Sequence, residues 1–256
     1  VRNNKVLACS FIKFLNLHEE PGMFAEWGQL LSEGLVTAYE KFDGSLIMVT
    51  YFDEQWWILT RGSNADANIF GSHLPKEMRS EETYGDRVRS LLELKELDKH
   101  ITYVFELCDP TAYITKYDSV FLGLISANIR GMELSIDDVY LDLVSAMKKP
   151  NCIRLPEVFQ PRSFEEIKLM IAKKQPDFEG YVLTCRRGNQ IKRAKFKSNI
   201  YVELHKNKGK LGRDDALIER VLQGGGQEIA AYFPEYTEKV KQIEAAIETL
   251  RQFCID

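Results

Sequence analysis

Little in this chain places it at a glance, and each absence excludes something. No apolar run approaches the roughly 20 residues a membrane-spanning helix needs, and no signal-peptide pattern opens the sequence. The five cysteines (Cys9, Cys108, Cys152, Cys185 and Cys254) are scattered, odd in number and without a CxxC pair. That spacing argues against a disulfide framework and a thiolate zinc site, and suits a reducing, cytoplasmic compartment. His18, His73 and His100 show no metal-ligand spacing, and there is no internal repeat or low-complexity tract. The net charge is only −4, with 45% hydrophobic and 28% charged residues, an ordinary balance for a globular protein. The first residue is Val1 rather than Met, so a preceding piece is expected.

What is there is unevenly distributed. The stretch "CRRGNQIKRAKFKSN" (Cys185 to Asn199) holds six basic residues and no acid, and "HKNKGKLGR" follows at His205. Acidic residues gather instead at 80–96 and in the last forty positions. A polarised balance of this kind points to one anion-binding surface. "LVTAYEKF", "SLIMVTYF" and "QWWILTR" alternate as strands, the last two around the turn "DE", and predict an antiparallel meander over 35–61. Val88, Leu91, Leu92 and Leu94 or Leu97 predict a helix within 80–100. "ITYVFELC" and "SVFLGLISANI" predict buried strands, and "EGYVLTCRR" and "IKRAKFKS" a hairpin through "GN". Ser135 and Ser163 predict helix N-caps, Ser163 with Glu166 as a capping box. After Gly212 the pattern turns helical, with Val240, Ile243, Ile247 and Leu250 on one face. The expected organisation is a mixed sheet-and-helix domain over 1–210 and a helical segment over 211–256.

One short stretch carries chemistry. In "EKFDGS" (Glu40 to Ser45) an Asp-Gly pair would suffice for a turn, yet a lysine precedes it. A lysine amine is nucleophilic only when neutral, and attack on phosphorus gives a phosphoramidate that stores the energy of nucleotide transfer. Such a site needs a carboxylate close by and a glycine that lets the backbone approach, which Asp43 and Gly44 supply. Glu106 lies inside an apolar strand, where a carboxylate is costly without a partner. Glu179-Gly180 opens another apolar strand, and Lys195 and Lys197 share one strand face, where they repel unless an anion lies between them. Trp56-Trp57 reads as half core and half surface, with base stacking as its alternative. His205 is either functional or a strand-end cap.

In order, K-x-D-G, the strand with a central Glu, E-G-Y-V and K-x-K resemble the nucleotidyltransferase motifs of covalent ligases and capping enzymes. The finer pattern resembles the phage-type RNA ligase 1 family. "IKFLNLHE" (12–19) is similar to the family's stretch ahead of the nucleophile, "ILTRGS" to its basic-Gly-Ser segment, and "FKSNIYVELH" to its extended lysine motif. The resemblance runs from about Val6 to Phe253. It implies an α+β, ATP-grasp-like nucleotidyltransferase fold with antiparallel sheets, flanking helices and a short helical C-terminal segment. It also implies ATP-dependent joining of RNA 5′-phosphate and 3′-hydroxyl ends, through lysyl-AMP and RNA-adenylate, in RNA or tRNA repair. By that resemblance Lys41 is the nucleophile, and Lys195 and Lys197 clamp the α-phosphate, with Lys195 helping to keep Lys41 neutral. Glu106 would take the ribose hydroxyls, while Glu40 and Gly44 flank the nucleotide. Asp43 and Glu179 would position Mg²⁺ or Mn²⁺ through its waters. Arg61 would contact ribose or RNA phosphate, Lys13 the outgoing phosphates, and Tyr201 the triphosphate or substrate end. The implied partners are single-stranded or nicked RNA and an end-healing kinase-phosphatase, with no membrane.

Two departures modify these expectations. Cys9 or Ser10 stands where the family has an arginine, and the family's earlier Arg-Gly segment is not in the sequence, so a slow first step is expected. The C-terminal helical segment is also short. DNA ligases and capping guanylyltransferases share the lysyl-nucleotide chemistry but append a strand-rich barrel that the tail does not resemble. A non-catalytic RNA-end-binding module is the other alternative, and the set Asp43, Glu106 and Glu179 weighs against it.

Overall fold

A computed structural model describes residues 8–11, 13–17, 19, 22–70, 81–110, 114–188, 190–202, 214–222, 224, 226–227, 229 and 236–253. His18, His73, His205 and the basic stretch at 205–213 lie outside these residues. The described elements are α1 (Met23–Ser32), β1 (Val36–Glu40), β2 (Ser45–Phe52), β3 (Gln55–Thr60), α2 (Tyr84–Leu91), β4 (Thr102–Cys108), β5 (Phe121–Ile129) and β6 (Met132–Glu133). There follow α3 (Ile136–Leu143), β7 (Ile153–Arg154), β8 (Val158–Phe159), α4 (Phe164–Ala172), β9 (Gly180–Arg187), β10 (Gln190–Lys197), α5 (Asp214–Leu222) and α6 (Thr237–Phe253).

The strands form two sheets. One runs β10-β9-β1-β8 and the other β3-β2-β4-β5-β6, all antiparallel, with β7 added parallel to β5. Period-two alternation gives each sheet two different faces. On the first, Val36, Ala38, Tyr181, Leu183 and Ala194 pack against Trp27 and Leu31 of α1 and Ile167 of α4. On the second, Ile47, Val49, Phe105, Leu107, Leu122 and Leu124 share a core with Val88 and Leu91 of α2 and Val139 and Leu143 of α3. The remaining faces meet across a cleft, where Tyr39, Val182 and Lys195 stand opposite Leu46, Glu106 and Ile125.

The meander expected over 35–61 is only half correct. β2 and β3 form a hairpin whose turn residues, Asp53 and Glu54, both have positive φ (54° and 61°). β1, however, belongs to the other sheet. Alternation reports that a segment is a strand, not which strand it pairs with, and the lysine segment proves to be a crossover between sheets. Lys41 N–H still donates to the Gly180 carbonyl of the first sheet at 2.9 Å, while Ser45 already opposes Leu107 in the second. Gly44 makes the crossing sterically feasible: a Cβ there would overlap the Leu107 carbonyl oxygen and stand 2.9 Å from Glu106 Cγ. The close approach seen at Gly44 is to strand β4.

The helix expected within 80–100 ends at Leu91, because Leu92 leaves to bridge with Met147 and Leu94–Glu96 form a 3₁₀ turn. Ser135 Oγ and Ser163 Oγ accept the predicted cap bonds, from Asp138 N–H (3.4 Å) and Glu166 N–H (3.2 Å). The Ser163 box stays open, since Glu166 accepts from Arg162 N–H at 2.8 Å. A complete box stands instead at Thr83 and Asp86, with aspartate in the place usually held by Glu or Gln. In the tail, Val240, with Ile243 and Ile247 alongside, packs with Leu217 and Val221 onto Ile114 and Tyr201. The boundary expected near residue 210 falls outside the described residues.

Gly180 has φ +135°, and a Cβ would overlap the Phe196 carbonyl oxygen and stand 2.8 Å from Lys197 Cα. Gly28, inside α1, has only Phe164 Cε2 near its Cβ position, at 3.6 Å. Gly180→Ala is expected to destabilise the protein by more than about 1 kcal/mol in urea unfolding. Gly28→Ala is expected to be neutral or to stabilise by up to about 1 kcal/mol.

Candidate active site

The crossover sets Lys41 at the floor of the cleft. Its ammonium donates to Glu179 Oε2 at 2.7 Å, and Lys197 Nζ lies 2.8 Å from Oε1 of the same carboxylate. Glu179 is only 3% exposed and its backbone carbonyl accepts from Ser198 N–H at 2.9 Å, so it forms a fixed wedge between two cations. Lys41 N–H to Gly180, next in the chain, fixes the other side of the pair. Lys195 takes no part in that ion pair and lies over the Phe14 ring, 5.1 Å from its centroid. Its position also depends on the segment before α1: Lys195 N–H donates to Leu15 O (2.9 Å) and Leu17 N–H to Lys195 O (3.2 Å). Residues 15–17 of the "IKFLNLHE" stretch therefore lie beside the lysine strand, and Lys13 of the same stretch reaches the cleft.

The charges run opposite to the expectation that Lys195 keeps Lys41 neutral. Burial pulls the Lys41 pKa down, but Glu179, Glu106 and Asp43 together outweigh it and hold the amine above its ordinary value. Lys195 is the lysine whose pKa falls, through burial and then the neighbouring Lys41 and Lys197 charges. The reason is proximity: the carboxylate is in contact with Lys41, so attraction exceeds the like-charge effect. Glu106, on β4 between Leu46 and Gly123, is pushed up to about 7 by burial, partly offset by Lys41. Glu40 is also raised by burial, and its Oε2 accepts from Glu157 N–H at 3.2 Å.

The cleft encloses a cavity of about 890 Å³, and Lys13, Glu40, Lys41, Arg61, Glu106 and Lys195 all line it. Arg61 is presented by a tight turn after β3, closed by Thr60 N–H to Ser63 O at 2.9 Å. Asp43, Gly44, Glu179, Lys197 and Tyr201 are not on the cavity wall; they stand behind it. Tyr201, expected at the substrate end, is 2% exposed and its hydroxyl donates to Asp43 Oδ1 at 2.9 Å. The metal pair Asp43 and Glu179 is likewise engaged. Asp43 Oδ2 accepts Ile114 and Thr115 N–H, and both Glu179 oxygens face lysines. Among the described residues no three His, Cys, Asp or Glu side chains group as direct metal ligands.

Sequence reasoning passed over Tyr39, Thr37, Val182 and Thr184, which face the cavity, although the alternation of β1 and β9 marked them as one side of a sheet. It also passed over Tyr117, whose hydroxyl accepts the Asp43 N–H at 2.8 Å. Nothing local to "TKYDS" marks that role.

A lysine on a crossover between two sheets, facing a carboxylate and a two-lysine strand, is the arrangement expected of a nucleotidyltransferase fold. Two solved structures share this fold with TM-scores of 0.50. One, carrying the name of a candidate ATP-dependent DNA ligase from Aquifex aeolicus, is 16% identical, with 90% of this chain and 65% of that one covered. An archaeal ATP-dependent RNA ligase is 14% identical, with 92% and 61% covered. Within the class, the chain belongs to the RNA ligase family of the phage T4 RNA ligase 1 type, matched over residues 1–201. It is also 26% identical over 259 aligned residues to a protein of Autographa californica nuclear polyhedrosis virus named as a candidate bifunctional polynucleotide kinase/RNA ligase. The match covers 94% of this chain and 34% of that protein, so the chain spans about a third of its relative's length.

Glu106 gives this site a pH signature. Its folded pKa of about 7 exceeds the ordinary 4.5, so the folded state holds the proton more tightly, and stability falls as pH rises from 4.5 to 7. Glu106→Gln mimics the protonated acid. It is expected to raise the unfolding midpoint by roughly 2–4 °C or more at pH 8 and by little at pH 4.5. Equal differences at both pH values would refute the raised pKa.

Proposed function

We infer that this chain is the nucleotide-transfer part of an ATP-dependent RNA ligase. The observation that carries the reading is Lys41 on the wall of a cavity large enough for a nucleotide, backed by the ion-paired Glu179 and Lys197. Lys41 would attack the α-phosphorus of ATP, forming an N–P bond as the bond to pyrophosphate breaks. The RNA 5′-phosphate would then take AMP from Lys41, and a 3′-hydroxyl would displace AMP to close the phosphodiester. Lys195, half-buried and already on the cavity wall, suits contact with the α-phosphate. Lys197 would join it as Glu179 is drawn away. Glu106, largely protonated below pH 7, can donate to or accept from the ribose hydroxyls. Glu40 would stand beside the nucleotide, and Lys13 and Arg61, both exposed at the mouth, would receive the outgoing phosphates and the RNA backbone.

Glu179 suits a hard cation held through its waters rather than directly, because both its oxygens already engage ammonium groups. Mg²⁺ or Mn²⁺ so held would neutralise charge developing on the phosphate oxygens. Before attack, Lys41 must lose the proton that its contact with Glu179 helps it retain. The kinase named in the viral relative supports an RNA-repair role in which ends are phosphorylated before sealing. Among the described residues no helix is long and apolar enough to cross a membrane.

The test is intact-mass spectrometry after incubation with ATP and Mg²⁺, paired with sealing of 5′-phosphorylated single-stranded RNA. The wild type is expected to gain the mass of one AMP and Lys41→Ala to gain none and to seal nothing with ATP. GTP-only labelling, or equal sealing by Lys41→Ala, would overturn the reading. Because Lys41 is held protonated, labelling should speed up roughly tenfold per pH unit below its pKa.

A further inference from the structure

Asp43 lies two residues after the proposed nucleophile, yet its carboxylate is turned into the protein and is 7% exposed. Oδ2 accepts the N–H groups of Ile114 (3.0 Å) and Thr115 (2.9 Å), and Oδ1 accepts the Tyr201 hydroxyl (2.9 Å). The Asp43 N–H in turn donates to the Tyr117 hydroxyl. Two of these partners, Ile114 and Tyr201, belong to the apolar cluster built by the tail, with Leu217 and Val221 of α5 and Val240 of α6. The same loop reaches a second point of the site. Thr115 Oγ1 donates to the Asp177 carbonyl (2.8 Å) and Lys116 N–H to Asp177 Oδ2 (2.6 Å), two residues before Glu179. Tyr201 also lies under Lys197, whose ammonium is 5.3 Å from its ring centroid.

We propose that the helical tail is a positioning element for Lys41. It seats the Ile114–Tyr117 loop and Tyr201, and through Asp43 and Asp177 these set the approach of Lys41 to Glu179. Asp43 and Tyr201 are thus positioning residues, the Asp43 oxygens being held by three protein donors. This rests on Lys41 being the nucleophile. Its physical basis is that Asp43 and Asp177 lie on segments leading into different sheets, and the loop hydrogen-bonds to both. Buried polar networks of this kind are rigid only when every member is satisfied, and a displacement of about 1 Å at a reacting atom can cost roughly a hundredfold in rate.

Tyr201→Phe deletes one donor to Asp43 and keeps the ring; Val221→Asp places a charge in the tail's buried face. Each is expected to lower the maximal rate of Lys41 adenylylation roughly tenfold to a hundredfold. The ATP KM should stay within about twofold, since neither residue lines the cavity. The double variant should be no worse than the slower single one, because both act through one linkage. A second readout needs no ATP: acylation of Lys41 by an amine reagent, followed by mass spectrometry across pH. Its midpoint should fall in both variants as the Glu179 contact loosens. A wild-type adenylylation rate and acylation midpoint in these variants, or a loss confined to KM, overturns the proposal. Should Val221→Asp fail to fold, Val240→Ala and Tyr201→Phe carry the same readouts. If the wild type takes no AMP, the functional reading fails, while the acylation midpoints still decide the positioning.

Discussion

A single buried carboxylate between two ammonium groups governs this site. Glu179 attracts both Lys41 and Lys197, which in its absence would repel across a poorly solvated floor, and so permits three charged side chains to be packed together. The surrounding backbone is arranged to hold it. The unusual φ of Gly180 lets β9 begin hard against Phe196 and Lys197, Ser198 N–H takes the Glu179 carbonyl, and Lys41 N–H takes the next carbonyl along. Stability and reactivity are in tension here, because the contact that makes the floor tolerable also keeps the amine protonated. A bound polyphosphate and cation would change that balance by giving each partner a new counter-charge.

The two sheets divide the work. Each buries one face against its own helices, and each leaves one face for the cleft, so strands supply the two facing walls of the cavity while connecting segments complete its lining. Side chains on strands are held to a narrow range of directions, which suits a reaction requiring several charged groups at fixed separations. The exposed members of the set, Lys13 and Arg61, come from less regular segments at the rim, where some freedom is useful for receiving a long chain.

Much of this was readable from residue order alone. Strands β2 to β5, β9 and β10 followed from alternation and apolar runs, and the serine caps from local hydrogen-bonding chemistry. The grouping of Lys41, Glu106, Glu179, Lys195 and Lys197 was legible because a charged residue inside an apolar strand is costly to bury unless an opposite charge or a ligand meets it. Pairing partners were not legible: β1 alternates as well as β2 does, and nothing within it specifies β9 as its neighbour. The charge state of Lys41 was missed for a related reason. Whether a lysine meets a carboxylate or another lysine depends on the rotation of β9 against the crossover, which is a property of packing. Asp43 shows the same limit, since its three donors come from residues 71, 72 and 158 positions away.

The crossover itself has a mechanical consequence. Within four residues the chain is tied to Gly180 on one side and pressed against Leu107 on the other. The base of the cleft is therefore stapled shut by covalent bonds, and any widening must occur at the rim, like a clasp opening away from its pin. Whatever enters the cleft would accordingly be admitted from the outer lip, with the lysine backbone as the fixed end around which the rim adjusts.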